Sequence, residues 1–291
     1  MNPFALFQTA ADVDALEYLT ELVEKGGPEP HEYAELTGLI DDLAARVSES
    51  NHSEAETAAL RGAFGDDFLL STIHGHCLRR PYGYAGDFAI IDKIYTYHLT
   101  PDPRYRRWDE FFHSLSAPKA VRNRKRYFKQ TLTRLVSESP NPEVRLLNVA
   151  SGPARDVAEL YAQIDPARLA TTCVEMDANA IRHANVLTAP YAARVSFIEK
   201  NIFRFETEEK FDVIWSAGLF DYFDDKTFMA VLRRMKTWLA EGGELIIGNF
   251  SPNNPNRNYM ELFGNWFLHH RTEEHLAWLA TEAGFSPENI F

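Results

Sequence analysis

The chain has 291 residues, 45% of them hydrophobic and 25% charged, a globular composition that argues against disorder. Thirty Lys+Arg against 42 Asp+Glu give a net charge of −12, which argues against a general nucleic-acid or anionic-membrane binder, because both need a positive surface field. No apolar run reaches the ~20 residues that span a bilayer, and Met1-Asn2-Pro3-Phe4 lacks the basic start of a signal peptide. A cytoplasmic protein is expected. Cys77 and Cys173 form no CxxC pair, so neither a disulfide framework nor a zinc ribbon is indicated.

Charge is unevenly spread. Residues 1–60 carry thirteen acids and two bases, whereas residues 104–134 carry ten bases and two acids. The simpler reading of the basic stretch is that it neutralises the protein's own acids.

The first hundred residues read as helices. Asp12, Val13, Leu16, Leu19, Leu22 and Val23 recur at helical spacing, and Gly26-Gly27-Pro28 closes the segment. Leu36, Leu39, Ile40, Leu43 and Val47 repeat the pattern, Asn51-His52-Ser53 breaks it, and a third helix begins at Glu54. From His74 to Asp87, three glycines, a proline and two tyrosines predict an ordered loop of the kind that lines sites. His74, His76 and Cys77 have no second cluster to complete a tetrahedral set, so no metal is expected. Residues 118–136 predict a helix. Strands are then predicted at 144–150, 170–177, 195–201, 211–216 and 243–250, alternating with helices. That alternation implies an α/β fold, a mostly parallel sheet with right-handed crossovers. No glycine- or proline-rich linker precedes it, so residues 1–140 are expected to form a helical cap or lid on a domain at 141–291.

Ligands of such sheets bind outside the carboxyl ends of the strands. Four ends carry residues suited to a nucleoside. Asn148-Val149-Ala150-Ser151-Gly152 lets backbone approach closely, and Glu175 can accept from two ribose hydroxyls, with Met176 beside it. Asn201-Ile202 offers an amide and an apolar face to an adenine. Ser216-Ala217-Gly218, followed by Tyr222, lies where the reacting end would be. A dinucleotide fingerprint needs glycine at the positions of Ala150, Gly152 and Arg155, and only one fits, which points away from a pyrophosphate.

At all four strand ends, Leu147–Phe250 resembles the class I S-adenosylmethionine-dependent methyltransferases. The motifs Arg80-Pro81-Tyr82-Gly83-Tyr84-Ala85-Gly86-Asp87, Ser216–Tyr222 and Asn249-Phe250…Tyr259-Met260-Glu261…Asn265-Trp266 resemble a subfamily that includes proteins of 3-hydroxypalmitic acid methyl ester biosynthesis. A general likeness extends to the azetidine-2-carboxylate synthases of the same fold. The resemblance implies a Rossmann-like sheet and S-adenosylmethionine as methyl donor or as substrate, with no metal. It also implies a small-molecule substrate in signal or secondary metabolism, with neither nucleic acid nor membrane as partner. Methyl transfer to a small acid such as a carboxylate and intramolecular cyclisation with release of methylthioadenosine both remain open, as does the oligomeric state.

Tyr84, Tyr222 and Asp87 are the candidate catalytic residues, with the 80–87 loop expected to close over the methionine end. Its tyrosines would face the sulfonium or pack the cap. Tyr82, Arg122 and Asn249 are candidate substrate contacts. Arg122, Arg124 and Arg126 are read as carboxylate ligands or as a solvated helix face, and His269-His270 with Arg271 as a base or as surface residues. Two departures from the family stand out. Ala150 and Ala154 replace glycines of the first motif, and only one of the usual two final strands has room before Phe291.

Overall fold

The structure is a computed structural model that describes residues 10–50 and 53–291. The break expected at Asn51-His52 and the reading of residues 1–4 lie outside the described residues. Two compact units emerge: the chain up to Val121 together with Asn254–Phe267, and Arg122–Asn253 together with Leu268–Phe291. The division thus falls earlier than residue 140, and a late segment belongs with the first unit. Polar ties hold that segment there. Arg61 donates to the carbonyls of Leu262 and Glu261, Asn256 Oδ1 accepts from the amides of Ser116 and Ala117, and Asn258 donates to Asp41.

The first unit is helical: α1 (Ala10–Glu24), α2 (Tyr33–Glu49), α3 (Ser53–Gly62), α4 (Asp66–Ser71), α5 (Ile73–Arg79), α6 (Phe88–Tyr95) and α7 (Arg106–Ser114), with α8 (Ser116–Glu138) starting here. Leu16, Leu19 and Leu22 of α1 and Leu36, Ile40 and Leu43 of α2 are buried, as their spacing predicts. Gly26 and Gly27 adopt φ +89° and +115° to end α1, and a Cβ on Gly26 would stand 2.4 Å from the Arg104 carbonyl oxygen.

The loop predicted from His74 is corrected: residues 73–79 are helix. Thr72 caps it by accepting from the Gly75 amide, and Gly75 is there because a Cβ would stand 2.2 Å from the Leu69 carbonyl. The irregular stretch begins only at Arg80, whose φ of 45° ends the helix.

The second unit is a three-layer sandwich. Its sheet contains β1 (Val144–Val149), β2 (Leu169–Glu175), β3 (Val195–Glu199), β4 (Phe211–Ser216) and β5 (Leu239–Ile247), in the order β3-β2-β1-β4-β5 with every pairing parallel. One face packs on α8, α9 (Arg155–Tyr161) and α10 (Ala178–Thr188), through Phe128, Leu132, Val136, Val157, Leu160 and Ala184. The other packs on α11 (Asp225–Trp238) and α12 (Glu273–Glu282), through Phe228, Val231, Met235, Trp238 and Leu279. Neighbouring residues of β1 go to opposite layers, Leu146 to the first and Leu147 to the second. Chain direction across the sheet reverses between β1 and β4, so their carboxyl ends form the topological switch point.

No strand follows Ile247 among the described residues, although the sequence has room for one. The Phe250 amide donates to Asp221 Oδ1 and the Phe250 carbonyl accepts from the Arg271 amide, so backbone that would extend the sheet is turned into a loop. The basic stretch of 104–134 does meet acids of the same unit, as in Lys125 and Lys129 with Glu159 and Arg107 with Glu29. No helix among the described residues is long and apolar enough to cross a membrane.

Candidate functional site

The turn after β1 is wound by left-handed residues at alternate positions: Ala150, Gly152 and Ala154 have φ 53°, 55° and 48°. Only the middle one is glycine, so each alanine carries a strain of roughly 1–2 kcal/mol. Two hydrogen bonds hold the turn against it. The Ala150 amide donates to Val174 O at 2.8 Å, and the Gly152 amide to Glu175 Oε2 at 2.9 Å. Nothing stands within 4 Å of the position a Gly152 Cβ would take, so that flank is open. Asn148, buried on β1, leaves its Nδ2 without a protein partner.

Glu175 does more than the sequence indicates. Its other oxygen accepts from the amides of Met176 and Asp177 at 2.7 and 3.0 Å, so one carboxylate joins the β1 turn to the β2 turn. A carboxylate has about four acceptor sites. Three are occupied by protein amides, and ribose hydroxyls would have to share them. Beside it, Asn201 Nδ2 faces the Met176 sulfur at 3.9 Å while its Oδ1 accepts from the Phe203 amide. Ile202 is buried, whereas Met176 and Phe203 are exposed, which leaves a thioether and a ring available to an aromatic base.

At the ends of β4 and β5, Ser216 is fully buried and donates to Val149 O at 3.2 Å, which locks the two central strand ends together. Beyond it lies a charge cluster that the sequence reading only touched. Arg124 Nη1 donates to Ala217 O at 2.6 Å, and its guanidinium lies across Gly218, where a Cβ would stand 3.3 Å from the nitrogens. Gly248 is needed for the same close packing, since its Cβ would come within 2.4 Å of Ala217 O. Asp156 and Asp221 flank the arginine electrostatically. Burial pushes each carboxyl up to about 6, while a backbone hydrogen bond and the field of Arg124 work in the opposite direction.

Asn249 and Arg271 belong to the wall behind this cluster. Arg271 is buried, donates to Asp225, Phe220 O, Phe223 O and Asn249 Oδ1, and lies over the Phe228 ring. The Asn249 amide donates to Phe250 O and His269 O. Both side chains are therefore committed to positioning the loop. Tyr222 is exposed at the rim of the same strand end.

Of the remaining expected residues, Tyr82, Tyr84 and Asp87 lie in the first unit, whereas Arg122, half-buried, and Arg126, exposed, lie on α8 in the second. Asp87, a candidate catalytic residue, is closed within its own unit. It is 1% exposed, caps α6 by accepting from Ala89 and Ile90, and pairs with His76 Nε2 at 2.9 Å. Lys93 approaches His76 Nδ1 at 3.5 Å. The Tyr82 ring lies 4.5 Å from that of Phe88, and Tyr84 is half-buried in the same loop. His74 is buried among Phe64, Phe68, Trp108 and Phe263 with Nδ1 against the Tyr259 hydroxyl, and burial pushes its ring down to about 3. No cluster of potential metal ligands exists among the described residues.

Asp156, Asp221 and the choice of Arg124 over its neighbours were the parts that sequence reasoning missed. A signal for the arginine was present: it is the next rung of the Phe128-Leu132-Val136 stripe, spaced by four residues.

Residues 146–243 match the sequence profile of a family described as a methyltransferase domain. That span contains all four strand ends. A search of the curated proteins gives no match. Among solved structures, a possible exported protein from Bordetella parapertussis is similar at 16% identity, covering 96% of this chain and 93% of that one with a TM-score of 0.60. The N-methyltransferase NodS from Bradyrhizobium japonicum in complex with S-adenosyl-L-homocysteine aligns at 22% identity over 55% of this chain and 74% of that one, with a TM-score of 0.42. Magnesium protoporphyrin IX methyltransferase from Synechocystis with bound SAH aligns at 13% identity over 59% and 77%, with a TM-score of 0.46. The fold of the second unit is Rossmann-like, of the methyltransferase type.

Proposed function

We propose that this protein is an S-adenosylmethionine-dependent methyltransferase acting on a small molecule. The observation that carries the reading is the coincidence of the matched family span, 146–243, with an open switch point built from the β1 turn, Glu175, Asn201 and the β4 end. The residues present suit such a ligand. Glu175 faces a ribose, Met176, Ile202 and Asn201 an adenine, and the β1 turn with Ser216–Gly218 the amino-acid end. Asn148 Nδ2 and the open flank of Gly152 supply an unused donor and room.

S-adenosylmethionine supplies a methyl group already activated on a sulfonium. The protein's own work is to align the acceptor and exclude water. A carboxylate acceptor needs no general base, in keeping with our reading of the acceptor as a small acid of signal or secondary metabolism. Cyclisation to azetidine-2-carboxylate requires instead a neutral amine folded back on its own chain. Incubating the pure protein with S-adenosylmethionine and a panel of small carboxylic acids, and identifying the nucleoside product by mass spectrometry, separates the two. S-adenosylhomocysteine formed only with an acid supports methyl transfer. Methylthioadenosine formed without any acid overturns it in favour of cyclisation.

A further inference from the structure

Resting on that reading, we propose that Arg124 is the carboxylate anchor of the site, holding either the amino-acid end of S-adenosylmethionine or a carboxylate on the acceptor. The argument begins with the helix. In α8, Phe128, Leu132 and Val136 follow at intervals of four and are buried against the sheet, with Phe128 packed on Trp215 at 5.0 Å. Arg124 is one turn nearer the carboxyl ends and meets Ala217, two residues beyond Trp215 on the neighbouring strand. The stripe therefore delivers a guanidinium, in place of another apolar side chain, just where the sheet ends and the ligand site begins.

The charge acts on Asp156 and Asp221 through space, but most of the guanidinium's hydrogen-bonding capacity is left over. Among the described residues, Arg124 makes one hydrogen bond, from Nη1 to Ala217 O, and no ion pair, although two carboxylates flank it. Nε is buried without a partner, and Nη2 has no hydrogen bond. Burying a guanidinium in this state is unfavourable unless something else completes it. Gly218 and Gly248 let backbone pack directly against its side chain, since a Cβ on either would stand 3.3–3.4 Å from it. Other arginines of this unit are consumed: Arg271 and Arg194 each spread their donors over several acceptors. An incomplete arginine beside glycine backbone at a strand end fits a planar anion, and a carboxylate is matched by the guanidinium edge.

The test compares S-adenosylhomocysteine with methylthioadenosine, which lacks the amino-acid end, by calorimetry on wild-type protein and on Arg124→Met and Arg124→Lys. If the anchor serves the nucleoside ligand, Arg124→Met loses about thirtyfold in affinity for S-adenosylhomocysteine and none for methylthioadenosine, with Arg124→Lys between them. If it serves the acceptor, both nucleosides bind normally, but octanoate binding to the S-adenosylhomocysteine complex is lost in Arg124→Met. Decarboxylated S-adenosylhomocysteine, tested on the wild type, reads the first arm without any substitution and should bind about thirtyfold more weakly than the parent. Equal weakening of both nucleosides in the variants, or no change in any arm, overturns the anchor while leaving the proposed function standing. A wild-type protein that binds neither nucleoside overturns that function and the anchor with it.

Discussion

The two units treat their buried carboxylates differently. In the first, Asp87 and Asp109 are satisfied by their own surroundings, although Tyr18 Oη, His74 Nε2, Arg80 Nε and Trp108 Nε1 are buried without partners. Asp109 accepts from the amides of Ile73 and Thr100, one on each oxygen, and Asp87 accepts from two amides and a histidine. In the second, groups at the strand ends are left partly unused: Asn148 Nδ2, Arg124 Nε, and an Asp221 carboxylate with one hydrogen bond, from the Phe250 amide. Satisfied polar groups stabilise a fold and fix its uniqueness. Unsatisfied ones lower stability, and those at a strand end are placed where a ligand can complete them. Neither burial nor unused bonding capacity alone marks the site; unused capacity gathered at the strand ends does.

The sharpest break in the comparison comes from Asp109→Ala. It orphans two buried amides at 1–3 kcal/mol each, a loss of about 4 kcal/mol in a denaturant titration. Nucleoside affinity of the protein that remains folded should not change. A large affinity loss without a stability loss would place Asp109 in the wrong class.

Asp221→Asn gives the next effect, and its sign is set by the raised carboxyl. An acid held near 6 in the folded protein and near 4 in the unfolded chain favours folding fully only below pH ~4, and loses that contribution as pH rises through ~6. The variant keeps the acceptor for the Phe250 amide. It should be less stable than wild type at pH ~4 relative to pH ~7, by about 3 kcal/mol in the difference between the two proteins' pH profiles. Parallel profiles between those limits would contradict the assignment.

Glu175→Gln should weaken S-adenosylhomocysteine binding by about 2 kcal/mol. Its amide group replaces an oxygen that one of the Gly152, Met176 and Asp177 amides requires. The smallest change is expected for Ala150→Gly. Relief of the left-handed strain is offset in part by glycine's greater freedom in the unfolded chain, leaving a stabilisation of about 0.5 kcal/mol with binding retained.

Much of this was legible in the residues. Alternating apolar runs and helical stripes located all five strands, and β1 ended, as read, in the small-residue turn. The strand ends were legible because a parallel sheet fixes where ligands go. His74–Cys77 was misread because a glycine in a short helix looks the same in sequence whether it frees the backbone or admits a neighbour, and Gly75 does the second. The strand read as 243–250 ends at Ile247 because Asp221 and Arg271 capture the backbone of Phe250, a long-range competition that no local pattern records. Asp87 was chosen for its neighbours in the loop, although its place just before the apolar run Phe88-Ala89-Ile90 is also that of a helix cap. Arg124 was seen as one of three arginines on a helix, and only the packing of α8 on the sheet separates it from Arg122 and Arg126.

The central claim is that the carboxyl ends of β1, β2 and β4 form a nucleoside site in the second unit. Titrating wild-type protein with S-adenosylhomocysteine in a calorimeter, alongside Glu175→Gln, tests it most directly. The account predicts saturable binding at one site per chain, weakened in the variant. Absence of heat and of any shift in thermal unfolding with the wild type, or equal affinity in the two proteins, would contradict it.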